Sequence, residues 1–242
     1  MQRFLVSLIL LTASALPSFA WDIDKMNEQI EATNVIVSEI CSGTIINKKE
    51  RLVLTAHHCI TDNLKEEVRQ EVDPNTGEIR QVKVMKKTPM FIEKWIRQDG
   101  EVVSKEYHTA SIKGYNEKYD IAILQVDDVL YAPKMEAPLA PENYPYKRGS
   151  TVFAVGNPGI LFDDTVTQGI ISHPLRAENM GGNFNIPFFQ HSASIIGGSS
   201  GGAIFNDIGE IIGTVSAGVR GANIGLAVPI SKTKELLKQL GY

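Results

Sequence analysis

An all-β protein of two modules is the fold class that the sequence predicts, on three observations. Short apolar runs rich in β-branched residues recur from Val35 onward, broken by glycine or asparagine before they reach helical length. A stretch with four prolines, residues 132–149, divides these runs into an earlier and a later set. The length of 242 residues suits one large β domain or two small barrels sharing a groove.

The elements follow in chain order. Residues 1–20 have a basic start at Arg3, an apolar run and a small-residue end at Ser18-Phe19-Ala20, the layout of an export signal. Ser7, Thr12 and Ser14 interrupt the run, whereas a spanning helix wants about 20 continuous apolar residues. Cleavage after Ala20 is expected, giving an exported chain that starts at Trp21 and has no stable membrane span. Strands are expected at 35–40, 43–47, 51–56 and 121–126, and again at 150–156, 167–173, 203–206, 210–218 and 224–230. Residues 62–110 are charge-rich, with a turn at Asp73–Gly77 and β structure at Arg80–Val84; the rest reads as a long excursion. Leu236, Leu237 and Leu240 place a short amphipathic helix over 232–240. The expected units are the leader (1–20), an N-terminal module (21–137) and a C-terminal module (138–242).

Charge and cysteines narrow the function classes. The formal net charge is −4, or −5 without the leader, and the short basic stretches lie too close to acids to track a phosphate backbone. No nucleic-acid partner is expected. Two cysteines, Cys41 and Cys59, lie 18 residues apart; in an oxidising compartment they can bridge, the other reading being buried thiols. No Cys/His set has the spacing of a metal cage, so neither metal nor cofactor is expected.

The stretch GGSSGGAIF, residues 197–205, puts four glycines around two serines, an entropic cost that asks for a reason. A serine hydroxyl becomes a nucleophile only beside a base, and the base works best when a third group fixes its tautomer. Of His57, His58, His108, His173 and His191, only the first two follow an apolar strand directly and adjoin a cysteine, in LVLTAHHC. Asp120 heads the apolar run 121–124, where an entering carboxylate needs a partner.

These motifs, CSGTII from Cys41, TAHHC ending at Cys59, DIAIL from Asp120 and GSSGG from Gly198, resemble in type and order the chymotrypsin-like serine endopeptidases. The resemblance implies two six-stranded antiparallel β-barrels and peptide-bond hydrolysis. It assigns the base to His58, immediately before the cysteine, the orienting acid to Asp120 and the nucleophile to Ser200. It makes the Gly198 and Ser200 backbone N–H groups the oxyanion hole. Ser194, Ile195, Ser216, Ala217 and Gly218 fall on the primary pocket, implying a small or medium uncharged side chain at P1, with His191 a neighbour able to intrude.

Two departures separate the chain from the digestive branch. Ser199 stands where that branch carries an aspartate for a new N-terminal ammonium, so activation through that ion pair is not expected. The stretch 190–204 is more similar to the single-domain bacterial HtrA/Deg-like or glutamyl-endopeptidase-like secreted proteases, and no PDZ domain is expected after it. Peptides or unfolded proteins are the implied substrates, in the periplasm or outside the cell, and oligomeric state is left open. A peptide-binding module that keeps the fold without catalysis is the competing reading, although such a module has little reason to retain all three reactive side chains. The α/β-hydrolase pattern G-x-S-x-G is formally present, but a hairpin rather than a helix follows Ser200, and the order of the trio differs.

Overall fold

The structure is a computed structural model that describes residues 21–99, 101–179, 185–219 and 221–242. The leader therefore lies outside the described residues. Two closed barrels of six antiparallel strands form the body. The first is built from β1 (Asn34–Val37), β2 (Cys41–Asn47), β3 (Leu52–Thr55), β6 (Met90–Gln98), β7 (Glu101–Asn116) and β8 (Ile121–Val126), in the order β1-β2-β3-β8-β7-β6. The second uses β9 (Thr151–Gly156), β10 (Thr165–Asn179), β11 (Asn185–His191), β12 (Ala203–Phe205), β13 (Ile211–Gly218) and β14 (Gly225–Pro229), in the order β10-β11-β14-β13-β12-β9.

Period-two alternation explains why β3 and β8 read as unbroken apolar runs. Val53, Ala122, Leu124 and Val126 point into the first barrel's core. Leu52, Leu54, Ile121 and Ile123 point the other way and join the second barrel's core with Ile171, Phe188 and Phe205. Both faces are thus buried. The end of β3 and the start of β8 are thereby fixed at the seam between the barrels.

The charge-rich region resolves into regular structure. β4 (Leu64–Val72) and β5 (Ile79–Lys87) pair as a two-stranded ribbon apart from both barrels, and β6 pairs along its length with Glu101–Ala110 of β7, whose remainder pairs with β8. The turn at Asp73–Gly77 links the ribbon, with Gly77 N–H donating to Asp73 O at 2.9 Å. Among the described residues the proline-rich connector forms one isolated bridge, Leu139 to Ile211.

Among the described residues, two α-helices pack on the barrels. α1 (Ile23–Thr33) was not expected; Asp22 caps it, its carboxylate accepting from Asp24 and Lys25 N–H at 3.1 and 3.2 Å. The Trp21 ring ahead of it sits 5.0 Å from Phe205 and 5.8 Å from Phe153, tying this segment to the second barrel. α2 (Ile230–Gln239) starts two residues before the expected helix and buries Leu236. A side chain at Gly114 of β7 would strike Leu240 just past its end, so α2 returns to the first barrel.

Candidate active site

His58 lies in a 3-10 turn, His57–Asn63, that leaves β3 at the seam. A Cys41–Cys59 disulfide ties this turn to the start of β2. Both sulfurs near His58 are used in that bond, which leaves no thiolate for a metal. Asp120 ends the 3-10 turn Glu117–Tyr119 in the left-handed region, φ 51°. That conformation turns its carboxylate back toward His58.

His58 Nδ1 lies 3.0 and 2.9 Å from the two oxygens of Asp120, and His58 backbone N–H donates to Oδ1 at 2.9 Å. The Ser216 hydroxyl donates to Oδ2. With the carboxylate at Nδ1, the proton of neutral His58 belongs there and Nε2 keeps its lone pair. The hydrogen bond with Asp120 raises the His58 pKa above its ordinary 6.5, against burial. Burial pushes Asp120 upward, but the hydrogen bonds from His58 and Ser216 outweigh it and hold the carboxyl below its ordinary value. The adjacent His57 stacks on Tyr115 at 5.1 Å, and burial lowers its pKa.

Ser200 stands on the turn before β12 and lines a cavity of about 830 Å³. Its carbonyl accepts from Ser42 N–H at 2.8 Å, and Cys59 Sγ lies 3.8 Å from the same oxygen. The His58 turn and the Ser200 turn therefore meet across the start of β2.

Peptide planarity sets the donors on that turn. Gly197 O accepts from Gly159 N–H at 2.7 Å, and Ser199 O accepts from Gly202 N–H at 3.0 Å. In a trans peptide the N–H points opposite to the C=O, so these bonds turn the Gly198 and Ser200 N–H groups away from them. Neither N–H has an acceptor among the described residues. Gly198 adopts φ +97°, and a Cβ there would fall 2.5 Å from Asn157 O; Gly201 adopts φ +81°, and a Cβ there would fall 2.3 Å from Ser42 O. At these two positions a side chain is excluded by both conformation and space.

The expected pocket residues divide. Ser194, Ile195, Ala217 and Gly218 line the cavity, whereas the Ser216 hydroxyl is turned to Asp120. A bulge in β13 accounts for this: Val215 pairs with Ala227 and Ala217 with Leu226, so Ser216 is the extra residue and its hydroxyl turns to Asp120 while Val215 and Ala217 line the cavity. No charged side chain lines the cavity among the described residues. His191 stays out of it: the ring is fully buried in β11, 6.2 Å from Phe189 and against Gly225. Ser199 is also buried, its hydroxyl accepting from Ile196 N–H at 3.4 Å.

Paired barrels with a carboxylate–imidazole pair at their seam and a serine on a glycine turn define a serine-peptidase class of domain. Residues 41–213 match the trypsin-like peptidase domain, and the chain belongs to that family. Among curated proteins it is similar to a serine protease HtrA-like protein of Staphylococcus haemolyticus, 34% identical over 143 residues, or 54% of this chain and 22% of that one. A probable periplasmic serine endoprotease DegP-like of Hahella chejuensis is 34% identical over 140 residues, 54% of this chain and 28% of that protein. A putative serine protease HhoA of Synechocystis is 34% identical over 136 residues, 53% of this chain and 33% of that protein. The matched segment thus spans a third or less of these relatives. Among the described residues, no helix is long and apolar enough to cross a membrane.

Proposed function

We propose that the protein is a serine endopeptidase with Ser200 as nucleophile, His58 as general base and acid, and Asp120 as the group that orients His58. The two-oxygen contact of Asp120 with His58 Nδ1 carries this reading, because it leaves Nε2 as the free basic nitrogen. Ser200 Oγ attacks the substrate carbonyl carbon as its proton passes to His58 Nε2. The carbonyl oxygen takes the negative charge and binds the Gly198 and Ser200 N–H groups. When the C–N bond breaks, the amine takes the proton from His58, leaving an acyl group on Ser200. Water then attacks the ester, its proton passing through His58 back to Ser200.

The cavity, whose described lining carries no charged side chain, favours a small or medium uncharged P1 side chain, and extended peptides gain backbone hydrogen bonds from strands beside the groove. Unfolded polypeptides in the periplasm or outside the cell are the substrates, in keeping with a relative named as a periplasmic endoprotease. The chemistry needs no cofactor.

The test expresses residues 21–242, profiles cleavage of an unbiased peptide library, and labels the protein with a fluorophosphonate. Cleavage together with a single adduct on Ser200, both lost in Ser200→Ala, is the expected result. Labelling or cleavage that persists in the alanine variant sinks the assignment.

A further inference from the structure

The glycine turn is tied to a chain of buried polar groups that begins in the first barrel. Gly198 O accepts from Ser42 Oγ at 2.7 Å, and Ser42 Oγ accepts from Asn157 backbone N–H at 2.7 Å. Asn157 is anchored in turn. Its Nδ2 donates to Val35 O at 2.9 Å, and its Oδ1 accepts from Asn34 Nδ2 at 2.7 Å and from Asp164 N–H at 3.2 Å. Asn34 Nδ2 also donates to Asp164 Oδ1 at 2.8 Å. Lys94 of β6 closes the chain, donating to Asn34 O at 2.8 Å and lying 3.6 Å from Asp164 Oδ1. Ser42, Asn34, Asn157 and Lys94 are all buried.

Stability alone does not account for this arrangement. Burial pushes the Lys94 pKa down and the Asp164 pKa up, each the reverse of what ion pairing does. The pair therefore carries a large desolvation cost, and apolar residues of similar volume commonly serve a core at least as well. A fully satisfied polar network fixes one arrangement, and the arrangement fixed here is that of the glycine turn.

That turn needs external fixing. Gly197 and Gly198 have no side chains to resist rotation of the peptide between them, and this peptide carries the Gly198 N–H. Its carbonyl is held by Gly159 N–H, and the next carbonyl by Ser42 Oγ. Asn157–Gly159 thus acts on both, once directly and once through Ser42. We propose that Asn157 and Ser42 are positioning residues for the oxyanion turn, with the buried Lys94–Asp164 pair as their anchor in the first barrel. The inference rests on the proposed role of the Gly198 and Ser200 N–H groups.

The test compares wild type, Ser200→Ala, Ser42→Ala and the double variant Lys94→Met/Asp164→Asn, which keeps shape and avoids an unpaired buried charge. Ser42→Ala should lower kcat by about 10- to 100-fold, the scale set by a small misplacement of a reacting group, with KM changed less than about threefold. Labelling by a fluorophosphonate should slow in parallel, because its phosphoryl oxygen uses the same donors. The double variant should lower kcat by about three- to tenfold with KM held, although it touches no substrate. Ser42→Ala protein that is folded by near-UV circular dichroism and has kcat within twofold of wild type, or a loss that falls on KM alone, overturns the proposal. If Ser42→Ala does not fold, the double variant decides by the same kcat criterion. An active wild type, an inactive Ser200→Ala and an unimpaired double variant would remove the anchor and leave the peptidase reading standing. Wild type that cleaves nothing overturns both.

Discussion

Two adjacent histidines provide a sharp test at the scale of single residues. His58→Ala should lower kcat by about 10⁴-fold or more, the scale of disabling one member of such a trio, while His57→Ala should affect local packing on Tyr115. Steady-state kinetics on the two folded variants decides this, and the reverse ranking moves the base by one residue. Because the base must be neutral, kcat/KM should rise with pH through a midpoint above 6.5, where Asp120 holds His58. Asp120→Asn should move that midpoint down and cut kcat by about 10⁴-fold, since the imidazole loses the partner that sets its tautomer. The linked effects on folding have opposite signs. His58, raised, contributes stability present below 6.5 and lost as pH rises through its folded value. Asp120, depressed, contributes stability present above 3.8 and lost as pH falls through its folded value.

The disulfide and the ribbon behave differently among the elements. Cys41–Cys59 closes a short loop around β2 and β3, so replacing both cysteines by serine should destabilise the protein by about 3 kcal/mol in a urea titration. Unchanged stability would show that this link constrains little in the unfolded chain. The β4–β5 ribbon stands on a closed base, where Thr88 N–H donates to Asn63 O at 2.9 Å. Replacing 65–86 by a short glycine-containing turn should preserve the fold and leave the His58–Asp120 geometry intact, as read by near-UV circular dichroism and the pH midpoint of kcat/KM; collapse of the fold would make the ribbon part of the core. The same elements show what was legible. β3 and β8 announced themselves because both faces are apolar. β4 did not, and β5 showed only over Arg80–Val84, because Glu66, Glu67, Arg80, Lys83 and Lys86 leave both faces of the ribbon largely solvated and the hydrophobic period weak. α1 carried a readable signal in the Asp22 cap and the spacing of Met26, Ile30 and Thr33, which the strand-rich context obscured. The motif residues His58, Asp120 and Ser200 come to one seam, whereas the Ser42–Asn157–Asn34–Lys94 chain joins positions up to 123 residues apart with no local pattern to mark it.

Acid sensitivity belongs to the molecule as a whole. His191 lies fully buried in the second barrel, and neither ring nitrogen has a well-formed hydrogen bond among the described residues. Burial pushes its pKa down to about 4, with the Ala193 backbone offsetting this only in part. Between 6.5 and about 4 the unfolded chain binds the proton that the folded one refuses, so stability should fall as pH is lowered through that window. The full loss is on the order of 3 kcal/mol. His191→Phe should reduce the difference between urea midpoints at pH 7 and pH 4.5; an unchanged difference would assign the acid sensitivity elsewhere.

The apolar backs of β3 and β8 also bear on the order in which the chain is made. Leu52, Leu54, Ile121 and Ile123 belong to a core most of whose buried members lie in strands that follow the connector. A growing chain that has completed the first barrel therefore presents a sticky stripe to its surroundings until the second barrel arrives. The hydroxyl that braces Asp120 and the serine proposed as nucleophile arrive on those same late strands and turns. The stripe that would expose a half-finished chain to aggregation is covered by the same late segments that carry these two serines, so on the proposed reading the site is complete only once that stripe is closed over.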